Sequence, residues 1–352
     1  SLIWIVETDN GSKNMVLNLS SIADNQALTA YLSFISEEMS VKTNGKFTVI
    51  LQGDKLYKAE REIISGKKYE AGNRYTAEID NSSETMQWEE LANMSFTVKV
   101  DENLGFNIPF PTSGETPANI MVDWGDGSAL TIVNKGTTLS DGDGFNYEYA
   151  ETGEYAIAIY SDQVDETEQQ IPKINFWNNR NKNNNYKKLV LINTPFLNTE
   201  TEDFSYCFFQ CSNLTSIPKG LFDENIEVTN FRCCFYGCSI LESIPEGLFD
   251  RNTNVTSFES CFSFCSNVTL NKNIFSDEGN IDRFSGMNML FNNCFQKAGE
   301  QNENPGEAPE LWKYEKSGST WQIQKCFDNA NATNLTLDNE YNTEWGTPLN
   351  WN

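Results

Sequence analysis

Apolar positions recur at equal steps through the second half of the chain, with Cys207, Cys234 and Cys261 marking the period and Phe208, Phe235 and Phe262 following it. The stretch 207–233 reads CFFQCSNLTSIPKGLFDENIEVTNFRC and 234–260 reads CFYGCSILESIPEGLFDRNTNVTSFES, with 16 of the 27 aligned positions identical and no gap. A third copy opens at Cys261 with CFSFCSNVTL. The spacing then loosens. LFNNC at 290–294 aligns with CFYGC after a two-residue insertion, and CFDNANATNLTL from Cys326 after a longer one. Upstream, KKLVLINTPFL at 187–197 and Phe204, which stands one full period before Phe231, read as an incomplete first turn, so the pattern predicts five or six coils. The structural repeat core is Cys207, Cys211, Leu214, Cys234, Cys238, Leu241, Cys261 and Cys265. One copy cannot bury its apolar face alone, whereas stacked copies share a continuous core and need atypical caps at the ends. The LTSI and LESI segments suit brief strands of a parallel stack, stopped by Pro218 and Pro245, which lack the N–H a ladder requires.

The first half alternates instead. MVLNL at 15–19, LTAYLSFI at 28–35 and KFTVILQG at 46–53 predict antiparallel strands over residues 1–92, with turns at Asn44-Gly45, Gly53-Asp54 and Gly72-Asn73. Residues 93–172 carry FTVKV at 96–100, MVDWGDGSALTIV at 121–133 and FNYEYAETGEYAIAIYS at 145–161. Tyr155, Ile157 and Ile159 alternate as on a strand with one buried face. The fold class read from the whole pattern is mainly β and multidomain: one or two β-sandwiches over 1–92 and 93–172, then a repeat solenoid with a C-terminal cap over 173–352.

Composition narrows the chemistry. The 352 residues hold 50 Asp and Glu, 25 Lys and Arg and no His, for a formal charge of −25. Nucleic-acid binders carry basic stripes that release counterions, so nucleic acid is a poor partner for this surface. The missing His removes Ser-His-Asp and Cys-His pairs and most catalytic zinc sites. The sequence has no G-x-S-x-G elbow, P-loop, dinucleotide fingerprint or H-E-x-x-H. A carboxylate pair of the glycosidase kind is the enzymatic option that survives, and 50 acids supply accidental candidates. The reading is non-enzymatic, with no cofactor. No stretch of 18 apolar residues spans a bilayer. The start at Ser1, without a basic n-region or cleavage site, reads as a chain whose N-terminal anchor has been removed.

The repeat F-x-x-C-S-x-L-x-S-I-P-x-G-L-F-D-x-N resembles the BspA-like leucine-rich repeats of surface proteins from Bacteroidota, over roughly residues 174–352. The resemblance implies an extracellular, outer-membrane-anchored lipoprotein whose solenoid serves adhesion or contact with host or matrix protein. Later copies depart from the pattern, with Ala330 where Cys238 stands and an insertion from about Ala298 to Thr320. VDWGDGS and YEYAETGEYAIAI resemble the PKD family, an immunoglobulin-like sandwich in which Trp124 packs the core and Gly125 and Gly127 permit the turn. YEAGNRYTAEI at 69–79 resembles the closing strand of fimbrillin-like domains, which implies a transthyretin-like sandwich for the first region.

Three sets of residues are site candidates. Cys207/Cys211, Cys234/Cys238 and Cys261/Cys265 form CxxxC pairs whose spacing overlaps structural zinc sites, but a period shared with Leu and Phe reads as core rungs. Asp123, Asp126, Asp141 and Asp143 are oxygen ligands of a kind calcium takes, yet DGDGFN lacks the EF-hand alternation, and turn capping accounts for Asp126. Four of the eight Trp fall between Trp312 and the end of the sequence, so Trp312, Tyr314, Trp321 and Trp345 offer aromatic stacking for a glycan in a polysaccharide-uptake system, or else close the solenoid as its cap. The solenoid's strand face, with Thr215, Ser216, Glu242 and Ser243, is the competing contact surface.

Overall fold

The computed structural model describes the backbone of the strands between residues 2 and 90, and in full residues 91, 93–108, 114–139, 145–162, 170–177, 186–275, 284, 287–313, 321–336 and 344–349. The protein is mainly strand with almost no helix. Among the described residues, helix amounts to the four-residue α1 (Asn185–Lys188), two short 3-10 turns and a 3-10 position at Phe284, and none is long and apolar enough to cross a membrane.

The first region holds β1 (Leu2–Thr8), β2 (Gly11–Leu17), β3 (Leu28–Ser33), β4 (Met39–Ser40), β5 (Lys46–Gln52), β6 (Leu56–Glu62), β7 (Lys68–Tyr69), β8 (Arg74–Ile79) and β9 (Glu89–Glu90). Five of them form an antiparallel sheet in the order β2-β1-β5-β6-β9, while β3 pairs with β8 and β4 with β7. The register of β5 on β6 runs from Lys46↔Glu62 to Gln52↔Leu56. Asn44-Gly45, Gly53-Asp54 and Gly72-Asn73 lie outside the described residues.

The middle region contains β10 (Asn93–Val100), β11 (Gly105–Ile108), β12 (Gly114–Glu115), β13 (Ile120–Asp123), β14 (Thr131–Val133), β15 (Thr138–Leu139), β16 (Phe145–Glu148) and β17 (Gly153–Ser161). Met94, Phe96, Val98 and Val100 alternate inward along β10. The β11-β16 ribbon packs on that face, with Phe96 and Phe106 ring centroids 6.1 Å apart. At its end Trp124 stacks on Tyr147 at 4.6 Å, its indole N–H donates to Thr131 Oγ1 at 2.8 Å, and the buried Tyr149 hydroxyl donates to the Trp124 carbonyl at 3.0 Å. Gly125 has φ +77°, and a Cβ there would collide with the Ala156 carbonyl, so the turn beneath Trp124 accepts only glycine without rearrangement.

The middle sheet has the order β14-β13-β17-β10-β18, and its last strand, β18 (Leu189–Ile192), is also the first rung of the coil stack. β18 runs antiparallel to β10, with Phe96 opposite Ile192, and forms a parallel bridge to Ser216 of the next coil through Leu191. Lys188, just before it, is buried and donates to the Asn103 and Gly105 carbonyls with Asp101 at 3.7 Å. Burial pulls the Lys188 ammonium below its ordinary pKa, and the Asp101 charge works against that. Phe176 then meets Phe96 edge-on at 5.0 Å and Phe208 face-on at 5.5 Å. The apolar core therefore runs without a break from Met94 to Trp345.

The coils stack in register. Phe208 N–H donates to the Cys234 carbonyl at 2.8 Å, Phe235 to Cys261 at 2.9 Å, Phe262 to Cys294 at 2.8 Å and Phe295 to Cys326 at 2.8 Å. The rings follow the backbone. Phe208, Phe235, Phe262, Phe295 and Phe327 form one column with centroids 5.0 to 5.7 Å apart and interplanar angles of 10° or less. Phe204, Phe231, Phe258 and Phe291 form a second, and Phe222, Phe249 and Phe275 a third. Buried amides add a polar column, in which Asn225 accepts from the Thr199 N–H and hydroxyl and Asn252 donates to the Phe222 and Asn225 carbonyls.

The structure corrects the register of the fourth coil. Cys294 takes the place of Cys261, Phe291 that of Phe258 and Ala298 that of Cys265, so the step from Cys261 ends at Cys294 and not at Leu290. LFNNCFQKA carries both F-x-x-C and C-F-x-x-A, and only the stacking of Phe295 on Phe262 selects the second frame. Left-handed backbone residues repeat in the same steps: Tyr206, Cys233, Ser260, Asn293 and Lys325 form one series, and Gln210, Gly237, Phe264, Lys297 and Asn329 the other.

Phe235 sits fully buried between Phe208 and Phe262 inside the longest column. Phe235→Ala is expected to cost about 3–5 kcal/mol, read from urea unfolding. An unchanged midpoint would mean that coil-to-coil ring stacking does not carry the fold.

Candidate functional site

The eight cysteines of the repeat core and its continuation are all buried thiols, and none is in a disulfide. Cys207 Sγ donates to the Ile174 carbonyl at 3.1 Å, Cys238 to Phe208 at 3.3 Å and Cys265 to Phe235 at 3.1 Å, so these thiols bond to the preceding coil. Among the described residues no three or more His, Cys, Asp or Glu side chains gather as a metal site would require. Burial pushes the Cys207 thiol up to about 12 and drives those of Cys211, Cys234, Cys238, Cys261, Cys294 and Cys326 upward as well. Leu214 and Leu241 are fully buried beside them.

Asp123 and Asp126 flank the turn under Trp124. Each accepts a backbone N–H two residues ahead, from Gly125 at 2.9 Å and Ser128 at 3.0 Å, and Asp126 also accepts from the Tyr147 hydroxyl at 2.6 Å. Partial burial works to raise the Asp126 carboxyl, but the Tyr147 and Ser128 donors together outweigh it and bring it below its ordinary value. Such Asx turns satisfy the carboxylates locally. Asp141 and Asp143 lie outside the described residues.

The C-terminal aromatics close the stack. Trp345 is buried, packs 6.1 Å from Phe327, and its carbonyl accepts the Phe327 N–H at 2.7 Å, where a further coil would supply a cysteine carbonyl. Trp321 is buried against Phe291 at 5.4 Å, and its indole N–H donates to Met287 O at 3.1 Å. Trp312 is half-buried, edge-on to Phe327 at 5.8 Å, and Tyr314 lies outside the described residues. Rings of this size cover the exposed end of an apolar column, so Trp321 and Trp345 are not free to stack on a ligand.

Two open grooves lie on the stack. One, of about 500 Å³, follows the strand rungs and is lined by Ser243, Glu246, Thr269, Lys272, Asn273 and Glu307. Ser243 bridges in parallel to Thr269, and exposed Ser216, Glu242 and Ser243 stand in a row beside half-buried Thr215. Lys272 pairs with Glu307 at 2.7 Å, and Asn273 donates to Glu246 at 2.6 Å, so adjacent coils are laced across the groove floor.

The second groove, of about 460 Å³, crosses five successive coils between Tyr186 and Gln301. Half-buried rings flank it: Trp177 meets Phe209 at 4.9 Å, Phe209 stacks on Tyr236 at 4.9 Å and 12°, and Tyr236 meets Phe264 at 5.2 Å and 46°. Phe264 is 36% exposed and holds φ +61°. At the matching position of the preceding coil stands Gly237, which tolerates that backbone freely. A bulky L-residue there costs roughly 1–2 kcal/mol. The repeating cysteines announced the core in the sequence, whereas this aromatic row is carried by positions that change identity from copy to copy.

The thiol column sets a limit on alkaline stability. The unfolded chain ionises its cysteines from about pH 8.5 upward, while the native stack keeps the Cys207, Cys211, Cys234, Cys238, Cys261, Cys294 and Cys326 thiols protonated beyond that, so proton loss favours unfolding. Each pH unit above that point is expected to remove about 1.4 kcal/mol per buried thiol until the native pKa is reached. Urea midpoints should therefore agree at pH 6 and 7 and collapse by pH 10; a flat profile would mean the thiols are not held as described. Comparisons with protein-family models, with characterised proteins and with solved structures found no match for this chain.

Proposed function

We propose that the protein is a non-enzymatic contact protein of the cell exterior that engages a protein partner through its stacked coils. The in-register stack is the observation that carries this reading: it repeats one backbone geometry coil after coil and leaves Ser216, Glu242 and Ser243 exposed on the strand rungs, with Ser243 at the strand-side groove. Repeat arrays offer extended surfaces of this kind to partners. The parallel rungs and the Phe, Cys and Asn columns support the finer reading of residues 173–352 as a leucine-rich-repeat-like solenoid of BspA type. The Trp124, Tyr147 and Tyr149 arrangement over the Gly125 turn supports a PKD-like, immunoglobulin-type sandwich for 93–172. The fimbrillin-like reading of 1–92 rests on its closing YEAGNRYTAEI segment, and outer-membrane anchoring rests on the family resemblance.

The non-enzymatic reading is supported by a His-free sequence that lacks the nucleophile and phosphate-binding motifs. The burial of Trp321 and Trp345 withdraws most of the support that the C-terminal aromatics lent to glycan binding.

Purified chain applied to an array of host matrix proteins, such as fibronectin, fibrinogen and laminin, is expected to give saturable binding. Glu242→Arg, on an exposed rung, should weaken it roughly tenfold. Absence of protein binding, or hydrolase turnover on polysaccharide that one carboxylate substitution abolishes, would overturn the proposal.

A further inference from the structure

The second groove points to another ligand. Its lining combines the Tyr186, Tyr236 and Phe264 rings with the exposed amides of Gln210 and Gln301 and the half-buried serines Ser212 and Ser239 of two successive coils. Lys187 lies over the Tyr186 ring at 5.7 Å, and Lys297 lies over the Phe264 ring at 5.3 Å with Glu300 3.8 Å away. On a chain of formal charge −25, a neutral ligand meets less repulsion at this groove than an anion does. What remains are ring surfaces, amides and hydroxyls, the groups that meet a neutral polyhydroxylated ligand.

The repeat distance selects among such ligands. Successive coils advance 5.0 to 5.7 Å, judged from the Phe208, Phe235, Phe262 and Phe295 column. An extended peptide advances about 3.3 Å per residue and falls out of step with the coils, whereas one pyranose of an extended β-1,4-linked chain advances close to one coil. Phe264 presents the most exposed ring of the groove, at a left-handed position that it shares with Gln210, Gly237, Lys297 and Asn329 of the other coils.

We infer that the Tyr186–Gln301 groove binds a linear, neutral, β-1,4-linked oligosaccharide along the stack axis, about one sugar to each coil, with Phe264 contributing its exposed ring edge. The site is separate from the strand-side groove and stands whether or not that groove binds protein.

Isothermal titration of the full chain with cellohexaose, xylohexaose and mannohexaose tests this. At least one is expected to bind, and Phe264→Gly should weaken it roughly tenfold while leaving the thermal midpoint equal or higher, since glycine relieves the left-handed backbone. Gln210→Ala, at an exposed amide outside the core, should also weaken binding without altering the midpoint, and decides the matter if Phe264→Gly unfolds. No heat with all three hexasaccharides, or full affinity in a folded Phe264→Gly or Gln210→Ala chain, overturns the inference.

Discussion

Each coil of this protein can satisfy its inward-facing amides and cover its phenylalanines only by lying on another coil. The Phe208, Phe235, Phe262 and Phe295 N–H groups each point at a cysteine carbonyl one coil on, and the rings above them stack at 10° or less. Hydrogen bonds fix the rise and the rings fix the lateral register, so neither operates without the other. Small thiols on the same rows leave room for the rings, and each thiol that donates to the preceding coil's carbonyl avoids an unmade bond in a dry core.

The ends of such a stack have to be closed, and the protein closes them in two ways. At one end the middle sheet itself supplies the first rung, because β18 pairs with β10 on one side and with Ser216 on the other. Lys188 fastens that junction by giving its buried ammonium to two carbonyls of the β10-β11 connection. At the other end Trp345 lends the carbonyl that a missing coil would have provided and covers Phe327 with its ring. Aromatics that read as possible ligand platforms are thus committed to closure, and ligand-facing rings arise on the side of the stack instead. There the coil geometry requires a left-handed residue in every copy, and the choice of Phe at 264 trades backbone ease for a protruding ring.

The two grooves differ in what their floors can do. The strand-side groove is crossed by Lys272–Glu307 and by the Asn273–Glu246 bond, which hold adjacent coils together and leave polar rungs facing outward. The aromatic groove is flanked by rings in near contact, with Lys297 beside Glu300 and over the Phe264 ring. A rigid, repetitive scaffold can carry both without coupling, since each coil touches only its neighbours.

The sequence alone made the repeat, its 27-residue period and its core legible, because a stack needs the same small and aromatic residues at the same offsets and two copies here retain them almost intact. Alternation likewise marked the strands and WGDG marked the turn under Trp124. The sequence misplaced the fourth coil, opening it at Leu290 where the stack opens it at Cys294, since LFNNCFQKA offers two frames that differ only in which ring meets Phe262. It left the terminal tryptophans open between cap and platform, because a side chain's exposure depends on what the rest of the chain lays over it. The sharing of β18 between sheet and stack, the Asn column and the aromatic groove were decided by the tertiary structure alone. Each of these depends on residues distant in sequence meeting at one coil's rise, and no local pattern encodes that distance.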